Sequence, residues 1–124
     1  MKKILIVDDE AGLTRLLKLN LEKTGRFSVR VVNDSTQAIE AMRVFKPDLA
    51  LLDIVMPDLD GGDLVAQMKN DPELQDIPVL MLTALVSPSE TGGKPTTKRG
   101  NLTMIAKPVS MPTLLSAIEQ KLGA

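Results

Sequence analysis

The sequence predicts an α/β protein: a parallel sheet of five strands with helices on both faces. Three observations carry that expectation. Ile4-Leu5-Ile6-Val7, Leu49-Ala50-Leu51-Leu52 and Val79-Leu80-Met81-Leu82 are short runs without a polar side chain, the composition of strands covered on both faces. Between them apolar residues recur at helical spacing, and parallel neighbours require crossovers of that kind. Finally, four of the five candidate strands end in a polar residue of definite type: Asp8-Asp9, Asp53, Thr83 and Lys107.

In chain order, residues 3–7 form the first strand, which Asp8-Asp9-Glu10 ends. Leu13, Leu16, Leu17 and Leu21 give a helix an inward stripe, with Gly25 as its stop. Val29, Val31 and Val32 mark the second strand, and Asn33-Asp34-Ser35 supplies an N-cap for a helix whose stripe is Ile39, Met42 and Phe45. Pro47 ends that helix. The third strand leads to Asp53 and a loop running to Gly61, where Asp60 caps a helix with Leu64, Val65 and Met68 inward, closed by Asn70-Asp71-Pro72. The fourth strand runs to Thr83. Residues 102–106 form the fifth, and Ser110 caps a last helix with Leu115, Ile118 and Leu122 inward and Gly123 just past its end. Residues 87–101 hold no Ala, Val, Ile, Leu, Met or aromatic residue, so no amphipathic helix of normal length can be written there.

Length and composition narrow the function. The 124 residues make one domain with a single core, and no linker, repeat or effector region is visible within 1–124. Lys+Arg 15 against Asp+Glu 16 gives a formal net charge of -1, which offers no general attraction to nucleic acid or an anionic membrane. The chain has no Cys and no His, so thiolate chemistry and the usual zinc ligands are excluded and any metal must be held by oxygen. After Met1-Lys2-Lys3 the apolar run is too short to target or to span, which points to a soluble, cytoplasmic protein.

The polar strand ends define the chemistry. In a parallel sheet the carboxyl ends of the strands share one rim, where ligands bind, so residues distant in sequence converge on one cleft. Asp53 alone could simply cap a turn before Pro57. Three carboxylates in one cleft repel, however, and Lys107 offsets only one of them; unless the group stays partly protonated, it calls for a divalent cation. Oxygen-only ligation suits Mg²⁺, with Mn²⁺ as a substitute.

Asp8-Asp9 after strand one, Asp53 with Met56-Pro57 and Gly61, Thr83-Ala84 after strand four and Lys107-Pro108 after strand five together resemble the CheY-like receiver domain of two-component response regulators, over nearly the whole chain. The resemblance implies a doubly wound, five-stranded, flavodoxin-like sheet in the order 2-1-3-4-5. It implies that Asp53 accepts a phosphoryl group from a phosphohistidine of a sensor histidine kinase or histidine phosphotransfer protein. Asp9, Asp53 and the backbone carbonyl of Val55 would bind Mg²⁺, with Asp8 acting mainly through water. Lys107 and the Thr83 hydroxyl would each meet a phosphoryl oxygen, and the Lys107-Pro108 bond would be cis. The output would be a change in contacts with a downstream protein, in a signalling module that is not an enzyme.

The sequence departs from that family in three places. The fourth helix usual between strands four and five is shortened, irregular or missing in 87–101, which leaves the apolar fourth strand to be covered by a helical turn, a second copy in a homodimer, or a partner. Met104 stands where the family commonly has an aromatic switch residue. Val55 and Leu85, two residues after Asp53 and Thr83, are apolar where receivers often orient a hydrolytic water, which predicts a long-lived phosphoryl group.

Other motifs fail on inspection. Lys94, Lys98 and Arg99 make 87–101 basic, most simply as a solvated loop. Gly93-Lys94 lacks both the Ser or Thr and the upstream glycine of a phosphate-binding loop. Asp58, Asp60 and Asp63 do not make a calcium loop, because Asp63 stands where Gly is required and Lys69 where Glu is required. Two competing functions remain. One is a phosphorylation-independent binding scaffold. The other is an aspartyl-nucleophile phosphatase, disfavoured because Val55 cannot serve as the acid for a leaving group.

Overall fold

The computed structural model describes residues 1–83, 96–98, 102–107 and 109–123. Its strands are β1 (Lys2–Val7), β2 (Phe27–Val32), β3 (Leu49–Asp53), β4 (Val79–Thr83), β5 (Thr96–Lys98) and β6 (Leu102–Ala106). Its helices are α1 (Ala11–Lys23), α2 (Ala38–Phe45) after a 3-10 turn at Ser35–Gln37, α3 (Gly61–Lys69) and α4 (Met111–Leu122). The sheet order is β2-β1-β3-β4-β6-β5. The first five are parallel, so the predicted 2-1-3-4-5 arrangement is present with β6 as its fifth strand. The three-residue β5 was not foreseen; it pairs antiparallel with β6 and extends the sheet. The rest of the 87–101 segment, with the fourth-helix expectation attached to it, lies outside the described residues, as do Ala84, Leu85 and Pro108.

Strand alternation divides the core into two layers. Leu5, Val7, Ala50, Leu52, Met81 and Met104 pack with Met42 of α2 and with Leu64 and Met68 of α3. Ile4, Ile6, Leu49, Leu51, Leu80, Leu82 and Ile105 pack with Leu17 and Leu21 of α1 and with Leu114, Ala117 and Ile118 of α4. Both faces are covered, which is why the strands read as continuous apolar runs, and each fully buried Leu or Ile contributes about 1.5–3 kcal/mol.

Helix boundaries follow local chemistry. Asp60 accepts from the Asp63 N–H while the Asp63 carboxylate accepts from the Asp60 N–H, a reciprocal capping box that starts α3. Ser110 caps α4 through the Thr113 N–H, and Gly123 ends it at φ 72. Asp34 caps the 3-10 turn before α2 through the Thr36 N–H, so the predicted cap acts one element early. In α2 it is Lys46 in a left-handed conformation that ends the helix, just before Pro47. The expected inward stripe of α1 needs one correction. Leu16 is 54% exposed, and the inward set is Thr14, Leu17 and Leu21 with Leu13 partly buried, because the stripe advances by three and four residues and Leu16 falls beside it.

Candidate functional site

The carboxyl ends of β1, β3, β4 and β6 bring their polar residues together. Asp8 is fully buried, as is Thr83, and Asp53 nearly so. From the start of the next turn on, Lys107 reaches back over the rim. Its Nζ lies 2.9 Å from Asp8 Oδ2, 3.2 Å from Glu10 Oε1 and 3.3 Å from Asp53 Oδ2. The Lys107 N–H donates to the Thr83 carbonyl at 2.8 Å, which fixes the lysine against the end of β4.

The carboxylates that converge differ in one member from the expected set. Oxygens of Asp8, Glu10 and Asp53 lie within 4.8 Å of one another, whereas Asp9 is exposed and stands outside that group. The reason is a local turn: β1 ends at Val7, the chain bends at Asp9, and the Glu10 N–H donates back to Asp8 Oδ1 at 2.9 Å, which brings Glu10 beside Asp8 and leaves Asp9 exposed. Sequence reasoning treated Glu10 only as part of a strand-ending acidic run and so missed it; the i, i+2 spacing after a strand was the available signal.

Electrostatics agree with the crowding. Burial, then the neighbouring Asp8 charge, pushes the Asp53 carboxyl above the usual carboxylate range, with Lys107 and the Val55 N–H pulling the other way. Burial works against the charge of Lys107. Its hydrogen bond and attraction to Asp8, with Glu10 and Asp53 adding to them, outweigh that and hold the ammonium well above its ordinary value. Among the described residues no buried side-chain nitrogen or oxygen lacks a hydrogen-bond partner.

The loop after Asp53 is clamped from several directions. The Ile54 N–H donates to the Leu82 carbonyl at 3.0 Å, and the Gly61 N–H to the Ile54 carbonyl at 2.9 Å. Gly61 has no room for a side chain: a Cβ there would lie 2.6 Å from the Asp53 carbonyl oxygen and 2.7 Å from Met81 Cε. Ser35, buried after β2, donates to the Pro57 carbonyl at 2.9 Å and accepts from the Leu59 N–H at 3.3 Å. Asn33 donates to the Asp8 carbonyl at 2.8 Å and to Thr14 Oγ1 at 3.0 Å. Met56 is buried beneath this loop and Val55 is 60% exposed at its surface. Met104 is a core residue of the α2 and α3 layer.

The donor set fits a hard divalent cation: it consists of carboxylate oxygens, with no nitrogen or sulfur ligand in a chain that lacks His and Cys. Among the described residues no helix is long and apolar enough to cross a membrane.

Comparison with known proteins agrees with this architecture. The family described as response regulator receiver domain matches residues 4–119. The polar-differentiation response regulator DivK of Brucella anthropi is 31% identical over 123 residues, 98% of this chain and 97% of that protein. The alkaline phosphatase synthesis transcriptional regulatory protein PhoP of Bacillus subtilis is 41% identical over 83 residues, and the match covers 67% of this chain but only 33% of PhoP. The chain thus corresponds to about a third of that longer regulator. Among solved structures, the N-terminal domain of a response regulator receiver protein from Methanoculleus marisnigri superposes with a TM-score of 0.73 at 34% identity, covering 100% of this chain and 98% of that one. The Vibrio cholerae chemotaxis protein CheY4 gives a TM-score of 0.82 at 27% identity, covering 98% and 99%. The chain belongs to the receiver-domain family of two-component response regulators.

Proposed function

We propose that the chain is a phosphoacceptor signalling domain: Asp53 receives a phosphoryl group from the phosphohistidine of a sensor histidine kinase or histidine phosphotransfer protein, in a Mg²⁺-dependent reaction. The observation that carries the reading is the Lys107 ammonium, within 2.9 Å of Asp8 and 3.3 Å of Asp53 at the rim where strand ends converge. An Asp53 oxygen attacks phosphorus, the phosphorus–nitrogen bond of the donor breaks with its electron pair left on the imidazole, and an acyl phosphate results. Having no His, this chain cannot be the donor.

Lys107 pairs with Asp53 before transfer and with a phosphoryl oxygen after it. The Thr83 hydroxyl, at the end of β4, turns to another phosphoryl oxygen and draws the following loop inward; that motion is the signal. Asp9, Asp53 and the Val55 carbonyl are the proposed Mg²⁺ ligands, with Asp8 acting mainly through water and Mn²⁺ as a substitute ion. The bound ion supplies charge neutralisation that lets an anionic phosphoryl group approach an anionic nucleophile. The chemistry is confined to the chain's own Asp53, which makes this a switch in the cytoplasm rather than an enzyme. Its output is altered contact with a downstream protein or a second copy of the chain.

Incubation with Mg²⁺ and phosphoramidate, followed by intact-mass measurement, tests the reading. Stable gain of one phosphoryl mass in the wild type and none in Asp53→Ala supports it. No gain in the wild type favours the scaffold reading, to which a core Met104 in place of an aromatic switch residue lends some weight. Consumption of donor without accumulation favours the phosphatase.

A further inference from the structure

Glu10 is not among the proposed Mg²⁺ ligands, yet its carboxylate accepts a hydrogen bond from the Lys107 ammonium at 3.2 Å. The three carboxylates around that ammonium are not alike. Asp8 is fully buried and is held a second time by the Glu10 N–H, which donates to its Oδ1 at 2.9 Å. Asp53 is buried at the base of the cleft. The Glu10 side chain is 62% exposed, while that of Lys107 is only 14% exposed. Glu10 is therefore the outermost partner, at the mouth, and the one that can leave without stranding a buried charge. One of its oxygens also lies within 4.8 Å of a carboxylate oxygen of Asp53. A phosphoryl group joined to Asp53 would carry more negative charge into the same space and would present oxygens to the same ammonium.

We propose that Glu10 is a positioning residue that restrains phosphoryl acceptance, a resident anion that holds Lys107 at the mouth of the cleft and gives up both the ammonium and the space beside Asp53 when a phosphoryl group arrives. The inference rests on the phosphoacceptor reading of Asp53. Two requirements follow. The contact must depend on reach as well as charge, because an exposed carboxylate acts on Lys107 only while it touches it. The site without Glu10 must also accept a phosphoryl group more readily, because no resident anion has to move first. For a contact with one exposed partner the gain is about two- to five-fold in rate.

The test compares wild type, Glu10→Gln and Glu10→Asp in saturating Mg²⁺ with phosphoramidate as donor. An Asp53 oxygen bonds to phosphorus, the donor's phosphorus–nitrogen bond breaks, and ammonia leaves after taking a proton from water. Initial rates of mass gain are read at low and high salt. Glu10→Gln removes the charge, while Glu10→Asp keeps it on a side chain one methylene shorter. If Glu10 acts by touching Lys107, both variants take up phosphoryl faster, Glu10→Asp because it no longer reaches the ammonium and Glu10→Gln because its amide oxygen accepts a weaker, uncharged hydrogen bond. If it acts only as a negative charge at the mouth, Glu10→Asp matches wild type, the gain in Glu10→Gln disappears at high salt, and the proposal is overturned. Equal rates in all three proteins also overturn it.

A second measurement needs no donor and no metal. In chelator, proton exchange of the Lys107 ammonium followed by nitrogen-15 NMR accelerates in both variants if the contact is present in solution. Unchanged exchange contradicts it. Failure of the wild type to gain mass would instead remove the phosphoacceptor reading itself, a result separable from equal rates among proteins that all react.

Discussion

Lys107 and Asp8 are ion-paired at 2.9 Å although β3 and β4 lie between their strands in the sheet. The lysine spans the rim because it follows β6 directly, with its N–H bonded to the Thr83 carbonyl, and its long side chain runs back over the ends of the intervening strands. Asp8 is fully buried, so its charge depends on this contact and on the Glu10 N–H. Removing one partner of a buried pair leaves the other desolvated and uncompensated, and that costs more than the pair itself contributes.

Lys107→Met, which keeps the length of the side chain and removes its charge, is therefore expected to lower stability in chelator by about 3 kcal/mol. Urea unfolding at neutral pH measures this. Added Mg²⁺ should recover part of the loss, since a cation can replace the missing positive charge and binding to the folded state alone stabilises it. Equal unfolding midpoints for variant and wild type in chelator would show that the ammonium does not neutralise Asp8.

Gly61 sets the distance between β3 and α3. Its missing side chain lets the helix start against the Asp53 carbonyl, and a Cβ would lie 2.6 Å from that oxygen and 3.0 Å from Ile54 Cα, both backbone atoms that cannot move aside cheaply. Gly61→Ala should cost about 1–3 kcal/mol by overpacking. Because the atoms displaced adjoin Asp53, the proposed phosphoacceptor, phosphoryl uptake should fall as well, while Gly62→Ala, which meets only the capping Asp60 Oδ1 at 3.2 Å, should cost less and lies farther from Asp53.

Much of this arrangement was legible because it depends on patterns of short range. The apolar runs gave the parallel strands, and the polar residue after each run located the rim, since strand ends in a parallel sheet must coincide there. Asp60 was readable as a cap. The reciprocal role of Asp63 belonged to the same stretch but was obscured by the calcium-loop comparison. What escaped depends on which side of the chain a residue leaves. Leu16 fits helical spacing yet lies off the stripe, and Glu10 turns in beside Asp8 and Lys107 while Asp9 stays exposed, because the Glu10 N–H folds back onto Asp8 Oδ1. Ser35 and its bonds to the Pro57 loop required tertiary proximity that no local pattern encodes. The strand β5 is three residues long with no apolar side chain, so neither periodicity nor composition announced it.

Arg43 of α2 holds Asp71, beyond α3, at 2.6 Å, and this hydrogen bond, with a second from the Glu73 N–H, keeps the Asp71 carboxyl below its ordinary range. A carboxyl with a lowered folded pKa adds stability that is present above the unfolded value and is lost as pH falls through the folded value, where the unfolded chain takes up the proton first. Unfolding midpoints should thus fall on acidification through the range below the ordinary carboxylate value. Arg43→Met should flatten that part of the profile by lowering stability slightly near neutrality, where the pair contributes, so that the two proteins converge at low pH. A profile identical in both proteins would count against the pairing.

Val55 is 60% exposed two residues after Asp53, and its side chain can neither donate to nor accept from a water molecule. Hydrolysis of an acyl phosphate needs a water aligned with phosphorus, opposite the leaving carboxylate, and a polar side chain at the mouth is one way to hold it there. Lacking that, the phosphorylated chain should keep its label for long periods once donor is removed. Val55→Asn offers an amide at the same place and should hasten loss by about fivefold, the effect of one ordinary hydrogen bond of ~1 kcal/mol in the transition state. The measurement is decay of phosphoryl mass after donor removal, in Mg²⁺, with Val55→Thr as an intermediate case. Rapid decay in the wild type, unaltered by either substitution, would mean that the water is held by groups other than the residue at position 55.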